Sequence, residues 1–375
     1  MFRVAAAAPL AVLLACAHAS ATPPGPRALP LSRQIAMREG WLEKRHALLL
    51  EMMRRHRIAM WIVVNEEFHD DPVTQYVAPP RPYAGGRDFF VFADAGARGL
   101  ERYAITGYAE DNLVRFFQSP EEFRKVKEGI QAVVARHDPS TIGLSIEPKD
   151  YRPSRGVTRS LTKASYEFLA DALGPRMEAR FVPAGPLIEE YLDTRLPEER
   201  EAYAELCAAT EELTRRALSN QVIVPGRTTV GEVRRFLYDR LAELGYGTWF
   251  QPDMRVQRKG SAGQLSRGLM NAMKARSAES VAQGRVPFAA QIYSHPLGNQ
   301  GHGLGPSIDF RAASRNDPPR PLRLGSYVAV ELNTKAAVPE WGGQEAFAME
   351  EDPAELTSDG YRFFRPRQTE YYLIK

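Results

Sequence analysis

The chain has 375 residues, of which 44% are hydrophobic and 25% are charged, so it has apolar material for about two folded domains and too much for a disordered protein. Its 49 basic and 46 acidic residues give a formal net charge of +3 and are spread along the sequence. No long block of one sign offers a surface for nucleic acid, which is therefore excluded as a partner. The arginine-rich segment 311–323 is interpreted as a solvated loop.

The N-terminus has the pattern of an export signal. Arg3 precedes an apolar run through Leu14, and residues 19–21 supply an Ala-Ser-Ala cleavage site. The run is too short to span a membrane comfortably, and no later segment approaches the roughly 18 apolar residues that a span requires. The sequence predicts a signal peptide over residues 1–21 and a periplasmic or secreted protein. Leu-Leu-Ala-Cys16 also fits a lipoprotein signal, in which case a lipid on Cys16 would attach the protein to a membrane.

The first half of the chain alternates between helical and strand patterns. Helical spacing of apolar residues predicts helices, and compact apolar runs predict strands. The predicted helices cover residues 34–57, 120–136 and 158–173, and the predicted strands cover 60–64, 88–93, 102–106 and 141–146. Such alternation is typical of a layered α/β domain, which we place at residues 22–190.

Two amphipathic helices are predicted to open a second domain, at residues 191–375. The first covers 197–218 with proline in its first turn, and the second follows the turn-and-cap sequence 225–233 and ends at Leu244. Cys207 lies on the first and is predicted to be buried. Strands are predicted over 248–257, 289–297, 327–337, 345–351 and 367–374, with a helix over 264–279. The predicted fold class is α/β, becoming α+β in this half.

The segment 292–306 carries the clearest chemical signal. It places His295 and His302 beside a glycine-dense turn, where backbone and ligand can approach closely. A dinucleotide-binding loop is excluded, because the G-x-G-x-x-G spacing and a preceding βαβ start are absent. On residue type alone, a structural histidine explains the pattern as well as a ligand does.

Acidic residues on two later predicted strands favour a metal ligand over a structural histidine. Glu331 interrupts the apolar run Tyr-Val-Ala-Val-Glu-Leu, where a charge is costly unless it is paired or binds metal. Glu350 and Glu351 end another strand, after the turn Trp341-Gly-Gly. One histidine and two carboxylates from three strands would make a metal site.

These motifs resemble those of the pita-bread metallopeptidases, the group of Xaa-Pro aminopeptidases, prolidases and creatinases. Gly-His302-Gly-Leu-Gly is similar to the family's metal-binding histidine motif, and Val-Glu331-Leu-Asn is similar to its first glutamate ligand. Met-Glu350-Glu351-Asp is similar to the second, and the choice between the two glutamates stays open. Ser-His295-Pro is similar to a further family histidine that faces the substrate, so the resemblance gives His295 a catalytic role.

The resemblance covers nearly the whole chain and is closest to the exported bacterial Xaa-Pro aminopeptidases. Residues 67–77 and 141–147 are similar to the creatinase-type N-terminal domain, 194–199 to the entry of the catalytic domain and 360–375 to its closing strand. The family implies a creatinase-type α/β domain followed by a pita-bread domain. It also implies a divalent metal (Mn, Co, Zn or Fe), a short peptide substrate and a homodimer.

One family feature is missing from this sequence. Members hold two ions with two aspartates, one histidine and two glutamates, and the aspartates lie on a hairpin before the histidine motif. Here Val-Gln-Arg258 leads directly to the predicted helix near residue 265, and no aspartate occurs between Asp253 and Asp309. Asp253 is interpreted as a turn residue, and Asp309 as at best an outer residue near the histidines. The pita-bread domain is therefore predicted to be partial between about residues 258 and 265 and to hold at most one ion.

The function that follows is metal-dependent hydrolysis of short Xaa-Pro peptides, impaired by the missing hairpin. Three explanations of the missing aspartate hairpin stay open: a pseudoenzyme that kept the scaffold, an incomplete sequence derived from an active enzyme, and a single-metal catalyst. The alternative function is that of a catalytically inactive binding or scaffold protein. A creatinase-like hydrolase that cleaves a carbon–nitrogen bond without metal is a further alternative.

Overall fold

The computed structural model describes residues 27–69, 71, 73–80, 86–108, 111–147, 160–248, 250–261, 289–297, 302–303 and 321–375. Several sequence predictions concern residues outside these ranges. They are the signal peptide, the lipoprotein cysteine Cys16, the helix 264–279, most of the arginine-rich segment and Asp309. Among the described helices, none combines the length and the apolar character that crossing a bilayer requires.

The first half of the chain folds into a mixed sheet flanked by helices. Its helices are α1 (Leu31–Arg55), α2 (Thr74–Val77), α3 (Asp111–Phe116), α4 (Val126–His137), α5 (Lys163–Leu173), α6 (Pro175–Glu178) and α7 (Gly185–Asp193). Its strands are β1 (Met60–Glu66), β2 (Arg87–Asp94), β3 (Leu100–Ile105), β4 (Ile142–Leu144) and β5 (Phe181–Pro183). The described residues form a five-stranded sheet in the order β3-β2-β1-β4-β5. The first three strands form an antiparallel meander, and β1, β4 and β5 run parallel.

The apolar core of this half lies on both faces of the sheet. Trp61 and Val63 of β1 pack with α1 and α7, whereas Ile62 and Val64 pack with α4 and α5. Side chains alternate along a strand, so a strand buried on both faces reads as an unbroken apolar run. This is why a strand over residues 60–64 was predictable, and the structure confirms it.

The described part of the second half contains two helices and an antiparallel sheet. The helices are α8 (Glu199–Ala217) and α9 (Val230–Leu244), and a capping box between Thr229 and Glu232 begins α9. The strands are β6 (Ala289–Pro296), β7 (Tyr327–Val338), β8 (Gln344–Thr357) and β9 (Gly360–Phe363), in that spatial order within the described residues. Cys207 of α8 is buried, as predicted.

The predicted strand 248–257 is wrong. Residues 250–257 have no regular secondary structure and are mostly exposed. They contact the sheet through a side chain instead of a backbone ladder. The side-chain amide of Gln257 makes both bonds. Its Nε2–H donates to the backbone carbonyl oxygen of Phe347, and its Oε1 accepts from the backbone N–H of Phe347 at 2.8 Å. The segment pairs with no strand among the described residues.

The predicted strand 367–374 is also wrong. The chain leaves the sheet after β9, and residues 366–375 are irregular. Pro366 cannot donate to a strand ladder, which explains why the pairing does not continue. The segment is held by other contacts: Arg365 bonds to Asp352 at 2.6 Å, and the Lys375 N–H donates to Asn220 at 2.9 Å.

Several predicted helices differ in their bounds. The helix predicted over 158–173 is α5, which begins at Lys163. The helix predicted over 34–57 begins and ends earlier, as α1. The helix predicted over 120–136 is a 3-10 turn, Glu121–Arg124, followed by α4. Lys125 separates them because its backbone is extended, with φ −90° and ψ 91°.

Ion pairs connect the two halves of the chain. Asp193 at the end of α7 accepts from Arg323 at 3.1 Å and from Ser326 at 3.3 Å. Arg45 of α1 pairs with Glu199 of α8 at 2.6 Å, and both side chains are 8% exposed. The predicted domain boundary at residue 190 falls within α7. Along the chain, the strands of the first sheet precede this helix and those of the second sheet follow it.

Candidate metal centre

Three adjacent strands bring one histidine and two glutamates to the same face of the second sheet. Tyr293 of β6 pairs directly with Glu331 of β7, which pairs directly with Glu351 of β8. His295 lies two residues beyond Tyr293 and therefore points to the same face of the sheet. Residues directly opposite each other and diagonal neighbours are both within reach of long side chains.

The three side chains converge in a small cluster. His295 Nε2 lies 2.9 Å from Glu331 Oε1 and 3.8 Å from Glu351 Oε1. The imidazole is fully buried, while Glu331 is 23% and Glu351 56% exposed. The cluster thus has a buried nitrogen at its base and carboxylates toward solvent.

The register of β8 distinguishes the two candidate glutamates. Glu350 pairs with Leu332, one position away from the pair Glu331 and Glu351. A shift of one residue along a strand moves a side chain to the other face. Glu351 therefore lies in the cluster, and Glu350 points away from it.

His302 lies beside the cluster. Its ring packs edge-on against the ring of His295, with centroids 4.5 Å apart and an interplanar angle of 87°. Among the described residues, the donor atoms that come together are those of His295, Glu331 and Glu351. The resemblance gave His302 the ligand role and His295 the catalytic role, whereas the structure places His295 with the glutamates and His302 against its ring.

Asp253 is engaged elsewhere. Its carboxylate is 45% exposed and pairs with Arg234 at 2.7 Å and with Arg255 at 2.8 Å. The hydrogen bond from Arg255 lowers the pKa of this carboxyl group. It also accepts from the N–H of Met254 at 2.8 Å.

The donor set fits one divalent ion. An imidazole nitrogen and two carboxylate oxygens, all within 4.8 Å of one another, come from His295, Glu331 and Glu351. Ligands on opposite sides of a zinc-like ion lie at most about 4.2 Å apart, so a small rotation of the exposed Glu351 side chain would close the set. Imidazole combined with carboxylates suits Zn, Mn, Fe or Co.

A cavity of about 280 Å³ lies next to Glu351. Tyr203 and Leu206 of α8, Leu297 after β6, and Arg365 of the C-terminal segment line it together with Glu351. Apart from Glu351, none of these cavity residues was predicted from the sequence. The helical spacing of Tyr203, Leu206, Cys207 and Thr210 marks one face of α8, but nothing in the sequence indicates which strand that face meets.

Comparisons with known proteins find the same fold. No protein-family model matches this sequence, and no curated protein matches it. Solved structures do match it. The X-Pro aminopeptidase of Thermotoga maritima has a TM-score of 0.52 and 14% identity over 86% of this chain and 99% of that one. Aminopeptidase P of Escherichia coli, solved with the inhibitor Pro-Leu, has a TM-score of 0.55 and 12% identity over 87% and 94%.

A dipeptidase of Mycobacterium ulcerans is similar at the same level, with a TM-score of 0.53 and 14% identity over 90% of this chain and 98% of that one. At these identities the likeness establishes the fold alone. The mixed first sheet and the antiparallel second sheet agree with that likeness. The chain therefore has the creatinase-type and pita-bread fold of the aminopeptidase P structures, as its sequence predicts.

Proposed function

We propose that this chain is a metal-dependent hydrolase of short Xaa-Pro peptides that works with one divalent ion. The observation that carries the proposal is the convergence of His295, Glu331 and Glu351 within 4.8 Å. The cluster occurs on a fold shared with solved structures named X-Pro aminopeptidase and aminopeptidase P.

Each of the three side chains has a distinct role in this proposal. His295 offers Nε2 from a fully buried position at the base of the cluster, so it fixes where the ion sits. Glu331 and Glu351 supply carboxylate oxygens from two paired strands. A divalent metal in such a site supplies Lewis-acid chemistry, which polarises a carbonyl group and makes water more acidic. His302 restricts the orientation of His295 through their edge-on ring contact.

The neighbouring cavity supports a small substrate. At about 280 Å³ it suits a short peptide, and Glu351 is the cluster residue on its wall. The apolar side chains of Tyr203, Leu206 and Leu297 offer contacts for a proline ring or an apolar side chain. Peptide entry from this side brings the substrate to the most exposed of the three donors.

The test is hydrolysis of Ala-Pro and Ala-Pro-Phe by purified protein with added Mn²⁺, Co²⁺, Zn²⁺ or Fe²⁺. We expect metal-dependent release of alanine that His295→Ala abolishes, because the imidazole is the buried donor. Glu350→Gln is the matched control and should retain the activity, since Glu350 lies on the other face of β8. Activity that persists in His295→Ala would contradict the proposed centre. Metal binding without turnover would favour the alternative, an inactive family member that binds peptides.

We further propose that the protein is exported and forms homodimers. The basic start, apolar run and Ala-Ser-Ala site at residues 19–21 support export. Mass spectrometry of the chain from a periplasmic fraction should give a mature start after Ala21, or a lipid on Cys16 if the lipoprotein signal is used. Sedimentation equilibrium of the mature chain would measure the oligomeric state.

A further inference from the structure

Another cavity, of about 460 Å³, lies between α1 and α8. Arg38, Trp41 and Arg45 line it from one face of α1, and Arg195 and Tyr203 line it from the α8 side. The α1 residues follow one another at helical spacing, so the wall is a continuous face of the helix. Tyr203 also lines the cavity beside Glu351, which makes the two cavities neighbours along α8.

The floor of this cavity is electrically neutral. Arg45 and Glu199 form a pair at 2.6 Å in which both side chains are 8% exposed. The other Glu199 oxygen accepts from the N–H of Leu196 at 2.9 Å, and Arg45 also donates to the carbonyl oxygen of Tyr191 at 3.0 Å. Both charges are therefore satisfied within the protein and leave little attraction for a charged ligand.

The remaining charges among the described residues on the wall are positive. Arg38 donates to the carbonyl oxygen of Gln75 at 2.9 Å, and burial lowers its pKa, because the guanidinium has lost part of its hydration. The guanidinium of Arg195 lies 5.0 Å from the ring centroid of Tyr327. An anion in the cavity would be attracted by both guanidinium groups, and a carboxylate matches the planar fork that each presents.

The rest of the lining suits an apolar body on that anion. Trp41 and Tyr203 supply aromatic walls, and Leu42 and Leu206 supply aliphatic ones. The volume lies within the range of ordinary small-molecule sites. We infer that the α1–α8 cavity binds a small carboxylate with an apolar body, and that Arg38 contacts its carboxylate. Short peptides with a free C-terminus and free aromatic acids are the two sources of this chemistry.

Calorimetric titration of the mature chain in metal-free buffer tests the inference. The probes are Gly-Pro-Phe, the same peptide with an amidated C-terminus, and 3-phenylpropionate. We expect the free carboxylates to bind and the amide to bind at least about tenfold more weakly, because the amide has lost the charge-assisted hydrogen bonds. Binding of the peptide alone would assign the site to peptides, and binding of both acids would assign it to carboxylates in general.

Two variants connect the binding to this cavity. Arg38→Gln should weaken the binding of Gly-Pro-Phe by about tenfold, whereas Arg33→Gln, an exposed arginine of α1 that does not line the cavity, should change it by less than about twofold. Ala202→Phe should block binding by filling the space while leaving the charges in place. Equal binding of acid and amide, or equal effects of the two arginine variants, would overturn the inference.

The experiment also separates this site from the proposed hydrolase. Without metal no hydrolysis is expected, so binding does not depend on catalysis. Glu351→Gln should bind Gly-Pro-Phe as the wild type does, because Glu351 does not line the α1–α8 cavity. Loss of binding in that variant would overturn the inference by placing the peptide at the metal centre instead.

Discussion

Acid should destabilise this protein through the buried imidazole of His46. His46 lies on α1, is 3% exposed and packs edge-on against the rings of Phe92 and Phe117. Its Nε2 lies 2.9 Å from the carbonyl oxygen of Val77, and its Nδ1 lies 2.9 Å from Nη1 of Arg102. A guanidinium can only donate and a carbonyl can only accept, so Nδ1 must be unprotonated and Nε2 must carry the hydrogen. The contact with Arg102 therefore selects the neutral ring.

The size of the effect follows from the pKa. Burial lowers the pKa of His46 to about 3. The hydrogen bond to Val77 raises this pKa, and the positive charge of Arg102 lowers it further. In the unfolded chain the pKa returns to about 6.5. As the pH falls, the unfolded state therefore binds the proton before the folded state does. The contribution of neutral His46 to the unfolding free energy is complete above about pH 6.5 and is lost as the pH falls toward 3. At pH 5 the loss amounts to about 2 kcal/mol of unfolding free energy.

Urea unfolding of the wild type and His46→Gln at about pH 7.5 and pH 5 measures this loss. Glutamine can donate to Val77 and accept from Arg102, but it does not titrate. All other groups titrate in both proteins and cancel in the comparison. We expect the unfolding free energy of the variant to rise by about 2 kcal/mol relative to the wild type between the two pH values. A difference between the two proteins that is the same at both pH values would refute the reasoning.

Three further experiments test the buried ion pair, the cap of α9 and the burial of Cys207. Glu199→Gln should lower the unfolding free energy in urea by about 3 kcal/mol, because Arg45 would keep a buried charge without its carboxylate partner. Replacing Arg45 by Met and Glu199 by Leu together should recover most of that loss. An equal loss in the single and the double variant would contradict this. Thr229→Ala removes the N-cap oxygen of α9 and should cost about 1 kcal/mol, so an unchanged melting temperature would contradict the capping role. Burial raises the pKa of the Cys207 thiol to about 11. In a Cys16→Ser variant at about pH 8, a disulfide reagent should therefore modify Cys207 at least about a hundredfold more slowly in the folded protein than in the urea-unfolded protein. Similar rates in the two states would contradict the burial of Cys207.

The elements that sequence predicted well are those whose burial is uniform. β1 and β2 are buried on both faces, so their apolar runs identify them without knowledge of the partner strands. The order β3-β2-β1-β4-β5 could not be predicted from those runs, because pairing depends on contacts distant in sequence. The predicted strand 248–257 was wrong because that segment is mostly exposed and contacts the sheet through the Gln257 side chain.

The site was predictable in residue type and only partly in geometry. Glu331 stood out because a carboxylate in an apolar strand needs a partner. The choice between Glu350 and Glu351 depended on the register of β7 against β8, which the turn through Gly342 and Gly343 sets. The place of His295 depended on β6, which reaches β7 across a long stretch of sequence. Motif similarity alone favoured His302 for the ligand role because it contains no information about that pairing.

The most direct test of the proposed metal centre is calorimetric titration of Mn²⁺, Co²⁺ and Zn²⁺ into the wild type, Glu351→Gln and Glu350→Gln. The two glutamates are neighbours on β8, are both exposed and differ in the face of the sheet to which they point. We predict one ion per wild-type chain, binding at least about tenfold weaker in Glu351→Gln, and wild-type binding in Glu350→Gln. Wild-type affinity in Glu351→Gln, or an equal loss in both variants, would contradict a centre built from His295, Glu331 and Glu351.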